Sequence, residues 1–244
     1  WVANIVQQSE ASMKRLKAIL SEKPEIEDSE NTDHSINGIE GEIELHNVSF
    51  RYRPDLPYVL DNVNIKIEKG KTVAFIGRTG VGKSSLVNLI PRLYDTTSGA
   101  VMIDGRDVRE IPLNTLRGNI GLVPQETFLF SDTLENNILY GLKGGNRETV
   151  EKAAGIAGLT KDIENFPKGY ETVLGERGIT LSGGQKQRTA LARAIAINPK
   201  ILILDDSFSA VDTHTEEEIL LRLKEFMKGR TSILISHRIS TVKE

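Results

Sequence analysis

Eight consecutive residues, Gly77-Arg78-Thr79-Gly80-Val81-Gly82-Lys83-Ser84, fit the pattern G-x-x-x-x-G-K-[ST]. Each residue type has a physical reason to be there. Glycines let the backbone curl so that successive N–H groups point inward at anionic oxygens. A lysine on a mobile stem brings a full charge to the β- and γ-phosphates of a nucleotide, and the Ser84 hydroxyl suits Mg²⁺. Ser85 is counted with this loop. Far along the chain, the apolar run Ile201–Leu204 ends in Asp205, where a carboxylate beside a phosphate loop can hold a magnesium-bound water. Between the two lies Leu181-Ser182-Gly183-Gly184-Gln185. Ser182 is placed to cap a helix, and glycines, a hydroxyl and helix-start N–H groups again make an anion site.

These residues need elements to position them. Val73–Ile76 reads as a short apolar strand entering the glycine loop, and Ser84–Leu93 as the helix leaving it. From Glu42 the pattern alternates through Ile43, Leu45, Val48, Phe50, Val63, Ile65 and Ile67, as strands do, and Ala100–Ile103 and Ile120–Val123 are further short strands. Helical patterns dominate from about 127 to 178, with Thr133–Tyr140 and Arg147–Ala157 the clearest. Gln185–Ile197 is helical and stops before Pro199, His214–Met227 is a helix, and Ser232–Ser236 a last strand. Continuous apolarity over Ile201–Leu204 marks a parallel strand covered on both faces. The alternation predicts an α/β fold with a mainly parallel sheet and a helical insertion.

The gross composition narrows the function. With 244 residues and a net charge of −3, the chain suits one sizeable domain and offers no basic footprint for nucleic acid. It contains no cysteine, which excludes disulfide frameworks and thiolate metal sites. No apolar run is long enough to span a bilayer. Residues 21–40 carry seven acidic side chains against one lysine and read as an acidic linker. Residues 1–20 have apolar positions at three- and four-residue spacings. Two readings stand side by side: an amphipathic helix packed on its own domain, or the tail of a helix continuing from an absent upstream domain.

The pentapeptide Leu181–Gln185, lying between the glycine loop and the apolar-Asp strand, strongly resembles the signature of the ABC ATPase family. The resemblance covers Glu42 to the end of the chain and implies a P-loop NTPase core, an N-terminal antiparallel β subdomain and an inserted α-helical subdomain at about 127–196. It implies ATP and Mg²⁺ as ligands. Tyr52 matches the aromatic residue that stacks on adenine. Gln125 matches the Q-loop glutamine, which meets the metal and the attacking water. Ser209-Ala210-Val211-Asp212 resembles the D-loop, and His237 matches the switch histidine at the γ-phosphate. In this family two cassettes pair head to tail, each ATP lying between one phosphate loop and the partner's signature. A second cassette is therefore an implied partner.

Departures from the family pattern carry their own expectations. The family usually has glutamate after the strand-end aspartate, as general base, and here Asp206 stands there. Aspartate is shorter by roughly 1–1.5 Å, and an error near 1 Å costs about 10²-fold in rate. The expectation is a slow site on this chain's own phosphate loop, with its intact signature completing a faster site on a different partner; a homodimer in which aspartate suffices is the alternative. Thr172-Val173-Leu174-Gly175-Glu176-Arg177-Gly178 resembles the exporter X-loop. Together with the helix at 1–20 this implies an exporter cassette at the cytoplasmic face of a membrane, joined to a transmembrane domain, and a chain that stops short of the family's usual C-terminus. The rival readings are a soluble ABC ATPase of DNA repair or translation, and a regulatory cassette that binds ATP with little hydrolysis.

Overall fold

The alternating apolar residues after Glu42 build an antiparallel sheet. β1 (Ile43–Phe50) pairs on one side with β2 (Leu60–Ile67) and on the other with β4 (Ser98–Ile103), and β5 (Arg106–Asp107) adds an edge. The β4–β5 turn is Asp104-Gly105, both at positive φ (53° and 75°), as a two-residue type I′ hairpin requires. Gly99, at φ 79°, faces a register shift in β1, and a Cβ there would lie 2.3 Å from the Asn47 carbonyl oxygen. Only glycine fits that crossing.

The computed structural model describes residues 1–142, 144–175 and 181–236. Its second sheet is parallel throughout, in the order β3 (Thr72–Phe75), β8 (Thr231–Ile235), β7 (Ile201–Asp205), β6 (Ile120–Val123). All five β7 residues are buried, because both faces are covered. Ile201 and Ile203 join α2 (Lys83–Leu89) and the antiparallel sheet in one core, while Leu202 and Leu204 join α7 (Gly183–Ala196) and α8 (Thr213–Met227) in the other. Between β6 and β7 lie α4 (Leu134–Leu139), α5 (Arg147–Ile156), α6 (Thr160–Glu164) and α7. Thr133 and Asn146 cap α4 and α5 with side-chain oxygens on the N–H groups of Asn136 and Thr149.

The short helix α3 (Leu113–Gly118) is not expected from the pattern, whereas α6 falls within the helical stretch at 127–178 without being singled out there. The α2 helix also ends earlier than its apolar spacing suggests. Pro91 follows, and Arg92 sits at φ 52°, so the helix has no way to propagate. The acidic stretch folds onto the domain from Asp28 onward. Asp28 accepts from the Leu113 N–H, Asp33 pairs with Arg106, and Ile39 is buried. The Asp104 carboxylate gathers the N–H groups of Glu40, Gly41 and Glu42. By contrast, α1 (Val2–Leu20) has no buried residue. Among the described residues no helix is long and apolar enough to cross a membrane.

Candidate active site

The glycine loop connects the end of β3 to the first turn of α2. Gly80 and Gly82 adopt left-handed φ values of 85° and 92°, and a Cβ on Gly82 would meet the Val59 carbonyl oxygen at 3.0 Å. Nothing lies within 4 Å of a Cβ built on Gly80, so the loop is tight on its protein side and open toward solvent. Lys83 lays its ammonium across the loop, donating to the Gly77 and Arg78 carbonyl oxygens at 2.8 and 2.9 Å. Thr79 and Val81 are exposed, and Ser85 is buried.

A cleft of about 310 Å³ opens above this loop. Its lining brings together Tyr52, Thr79, Gly80, Gly82 to Ser85, Gln125 and Asp205. Residues separated by more than 150 positions therefore meet in one place. The Tyr52 hydroxyl shares a 2.8 Å hydrogen bond with the Ser85 hydroxyl. Its ring is braced edge-on by Phe50 and Tyr94, with centroids 4.8 and 5.3 Å away, yet Tyr52 stays 46% exposed, leaving surface for a ligand. Val59 also lines the cleft, beside Gly82, a position the sequence pattern did not single out.

Ser84, Gln125 and Asp205 offer this cleft a hydroxyl, an amide and a carboxylate. Such hard oxygen donors suit Mg²⁺, which uses few protein ligands and completes its shell with water and substrate phosphates. No group of three or more His, Cys, Asp or Glu able to hold a metal occurs among the described residues. The three oxygen donors Ser84, Gln125 and Asp205 fit Mg²⁺ held together with a nucleotide.

Asp206 is placed differently. Its N–H donates to the Ile235 carbonyl at 3.0 Å and its φ is 46°, a left-handed conformation that aspartate tolerates better than longer acids. It borders a small crevice with Ser207, Glu216 and Ser236, directly after Asp205, which lines the cleft of Tyr52 and Lys83. His237 lies outside the described residues, as do Glu176, Arg177 and Gly178 of the X-loop-like segment. Within that segment Val173 bridges to Thr133, and Leu174 is buried.

The pentapeptide opens α7. Ser182 caps the helix in a reciprocal box with Gln185, the two bonds being 3.2 and 2.9 Å. Leu181 is buried, whereas Ser182 and Gly183 are exposed. Asp162 on α6 accepts from both Gln185 (2.8 Å) and Arg188 (2.7 Å), fixing the helix start to its neighbour. Cβ atoms on Gly183 and Gly184 would lie 3.2 and 3.0 Å from Ala210, so the Ser209–Asp212 loop packs directly on these glycines. Val211 is buried, and Asp212 caps α8 by accepting from the Thr215 N–H at 3.0 Å. That bond, then the Thr215 hydroxyl, holds the Asp212 carboxyl below its ordinary value. Gln187 was missed by motif reasoning. It does carry a signal: three and four residues before Ala190 and Leu191, it falls on the buried stripe of α7, where an amide needs partners.

Comparison with known proteins agrees with this geometry. A family model described as "ABC transporter" matches residues 60–209. An ATP-dependent lipid A-core flippase of Syntrophus aciditrophicus is 46% identical over 242 residues, covering 99% of this chain and 40% of the relative. The ABC transporter ATP-binding protein YwjA of Bacillus subtilis, itself uncharacterized, is 44% identical over 234 residues, covering 96% of this chain and 40% of the relative. The chain thus spans about two-fifths of the length of these relatives. Among solved structures, a bacterial Atm1-family ABC exporter with ATP bound superposes with a TM-score of 0.90 at 37% identity, over 99% of this chain and 42% of that one. Its phosphate loop, its signature pentapeptide, its two-sheet fold and these matches together place the chain in the ABC transporter family, as a P-loop ATP-binding cassette.

Proposed function

We propose that this chain binds Mg·ATP in the cleft above Gly77–Ser85 and hydrolyses it to drive export by a membrane transporter. The observation that carries the reading is the convergence of Tyr52, Lys83, Ser84, Gln125 and Asp205 on one cleft. Tyr52 offers an oriented ring to adenine, and Lys83 can exchange its two carbonyl partners for phosphate oxygens. Ser84 and Gln125 would hold Mg²⁺, with Asp205 acting through a water. The ion supplies charge neutralisation at the β- and γ-phosphates. Asp206 accepts the proton of the attacking water, and His237 contacts the γ-phosphate. Leu181–Gln185 serves the ATP of a second cassette, with Ser209–Asp212 crossing between the two in a head-to-tail dimer.

The relatives' names and their greater length support a transmembrane partner domain on the same polypeptide and a place at the cytoplasmic face of a membrane. The exposed α1 suits a continuation into that domain, since it buries nothing on this one. The shorter reach of Asp206, where the family has glutamate, favours a slow own site and a partner of different sequence. ATPase assays of the full-length protein in lipid, alone and with candidate partner subunits, test this. Slow turnover alone and faster turnover with a partner bearing glutamate at the matching position is expected. Equal rates in both would indicate a homodimer, and tight ATP binding without turnover in any combination a regulatory cassette.

A further inference from the structure

We propose that Gln187 is a positioning residue that fixes the backbone of Asp206 to the start of the signature helix, so that signature and Asp206 move as one body. Gln187 is 6% exposed and uses both ends of its amide on the loop after β7. Its Nε2 donates to the Ser209 hydroxyl at 2.9 Å, and its Oε1 accepts from the Ala210 N–H at 3.0 Å. The Ser209 hydroxyl in turn donates to the Asp206 carbonyl oxygen at 3.1 Å. A continuous relay therefore runs from α7 through Ser209 to the peptide of Asp206. On its other side that peptide is tied to β8 by the Asp206 N–H bond to Ile235.

Packing reinforces the relay. A Cβ on Gly183 or Gly184 would sit 3.2 or 3.0 Å from Ala210, tighter than an ordinary contact, so helix and loop approach closely here. Small residues at these two positions suit that close approach inside the chain. A buried amide with both ends satisfied on one loop is costly to remove and sharply directional. A displacement of the signature end of α7 must consequently carry Ser209, Ala210 and the Asp206 peptide with it. The inference rests on the proposed role of Asp206 in hydrolysis, but the physical tie does not.

The test uses the full-length protein in lipid, with Gln187→Met, Ser209→Ala and the double variant. Methionine keeps the volume and removes both bonds. Each single variant should lower kcat about tenfold, as loss of a relay bond worth about a tenfold factor implies, with ATP affinity within twofold of wild type. The double variant should lose little more than either single, because one relay is broken in all three. Gln187→Glu keeps the acceptor for the Ala210 N–H and should fall between. A merely structural role would lower thermal stability and ATP affinity together and give additive losses, which would overturn the proposal. Hydrogen exchange provides the readout that does not depend on turnover. The amides of 206–211 should exchange about tenfold faster in Gln187→Met, with the phosphate loop unchanged. If exchange accelerates but wild type shows no hydrolysis, the proposed function fails and the tie stands; unchanged exchange overturns the tie itself.

Discussion

Replacing Asp206 by glutamate adds one methylene where the chain departs from its family. The gain in reach is roughly 1–1.5 Å, and placing a general base correctly over such a distance is worth about 10²-fold in rate. The backbone sets a counter-cost. Asp206 sits at φ 46° and is anchored by the Ile235 carbonyl on one side and the Ser209 hydroxyl on the other, so it cannot relax to a right-handed conformation without breaking both bonds. Glutamate there loses about 1 kcal/mol, a fall of about 2–4 °C in Tm for a domain of this size. Single-turnover hydrolysis, with protein in excess over ATP, isolates the chemical step. The expected outcome is a rate increase of about 10–100-fold with unchanged ATP affinity and a slightly lowered Tm. A folded variant that binds ATP as wild type does and hydrolyses it no faster would refute the reach argument.

Three further outcomes follow from the geometry. Tyr52→Ala should weaken ATP binding by a factor matching about 1–3 kcal/mol of lost stacking, while Tyr52→Phe, which loses only the Ser85 bond, should bind within about tenfold of wild type. Calorimetric titration checks both, and equal affinities for Ala and Tyr would contradict the placement. Gly82→Ala should cost at least about 1–2 kcal/mol in urea denaturation, from left-handed strain and the contact with the Val59 carbonyl, and abolish nucleotide binding; a wild-type midpoint with wild-type affinity would contradict it. Asp212→Asn keeps the cap acceptor but removes its charge. Because the folded carboxyl lies below its ordinary value of 3.8, its contribution is present above that pH and lost as pH falls through the folded value. Scanning calorimetry should therefore find wild type more stable than the variant at neutral pH and equal to it in strong acid; a pH-independent gap would contradict the cap.

The parts of the site legible in the sequence were those where chemistry dictates residue type at fixed spacing. Gly77–Ser84 and Leu181–Gln185 needed no tertiary context, and Ile201–Leu204 was legible because a strand covered on both faces must be apolar throughout. Other features depended on contacts that no local pattern encodes. The helices α3 and α6 span six and five residues, too few for a period of 3.6 to show. The acidic stretch looked like a linker because hydropathy does not register that Asp28, Asp33 and Asp104 spend their carboxylates on hydrogen bonds and ion pairs that dock it. Gln187 finds its partners 22 and 23 residues away, and the cleft joins Tyr52 to Asp205 only once the two sheets have packed.

The central claim is that the Gly77–Ser85 cleft holds Mg·ATP through Lys83. Calorimetric titration of Mg·ATP into wild type and Lys83→Ala tests it most directly. Saturable 1:1 binding to wild type and at least a tenfold loss in the variant, from removal of a charge-assisted contact worth about 1.5–3 kcal/mol, is the predicted result; equal affinities in folded wild type and variant would contradict it.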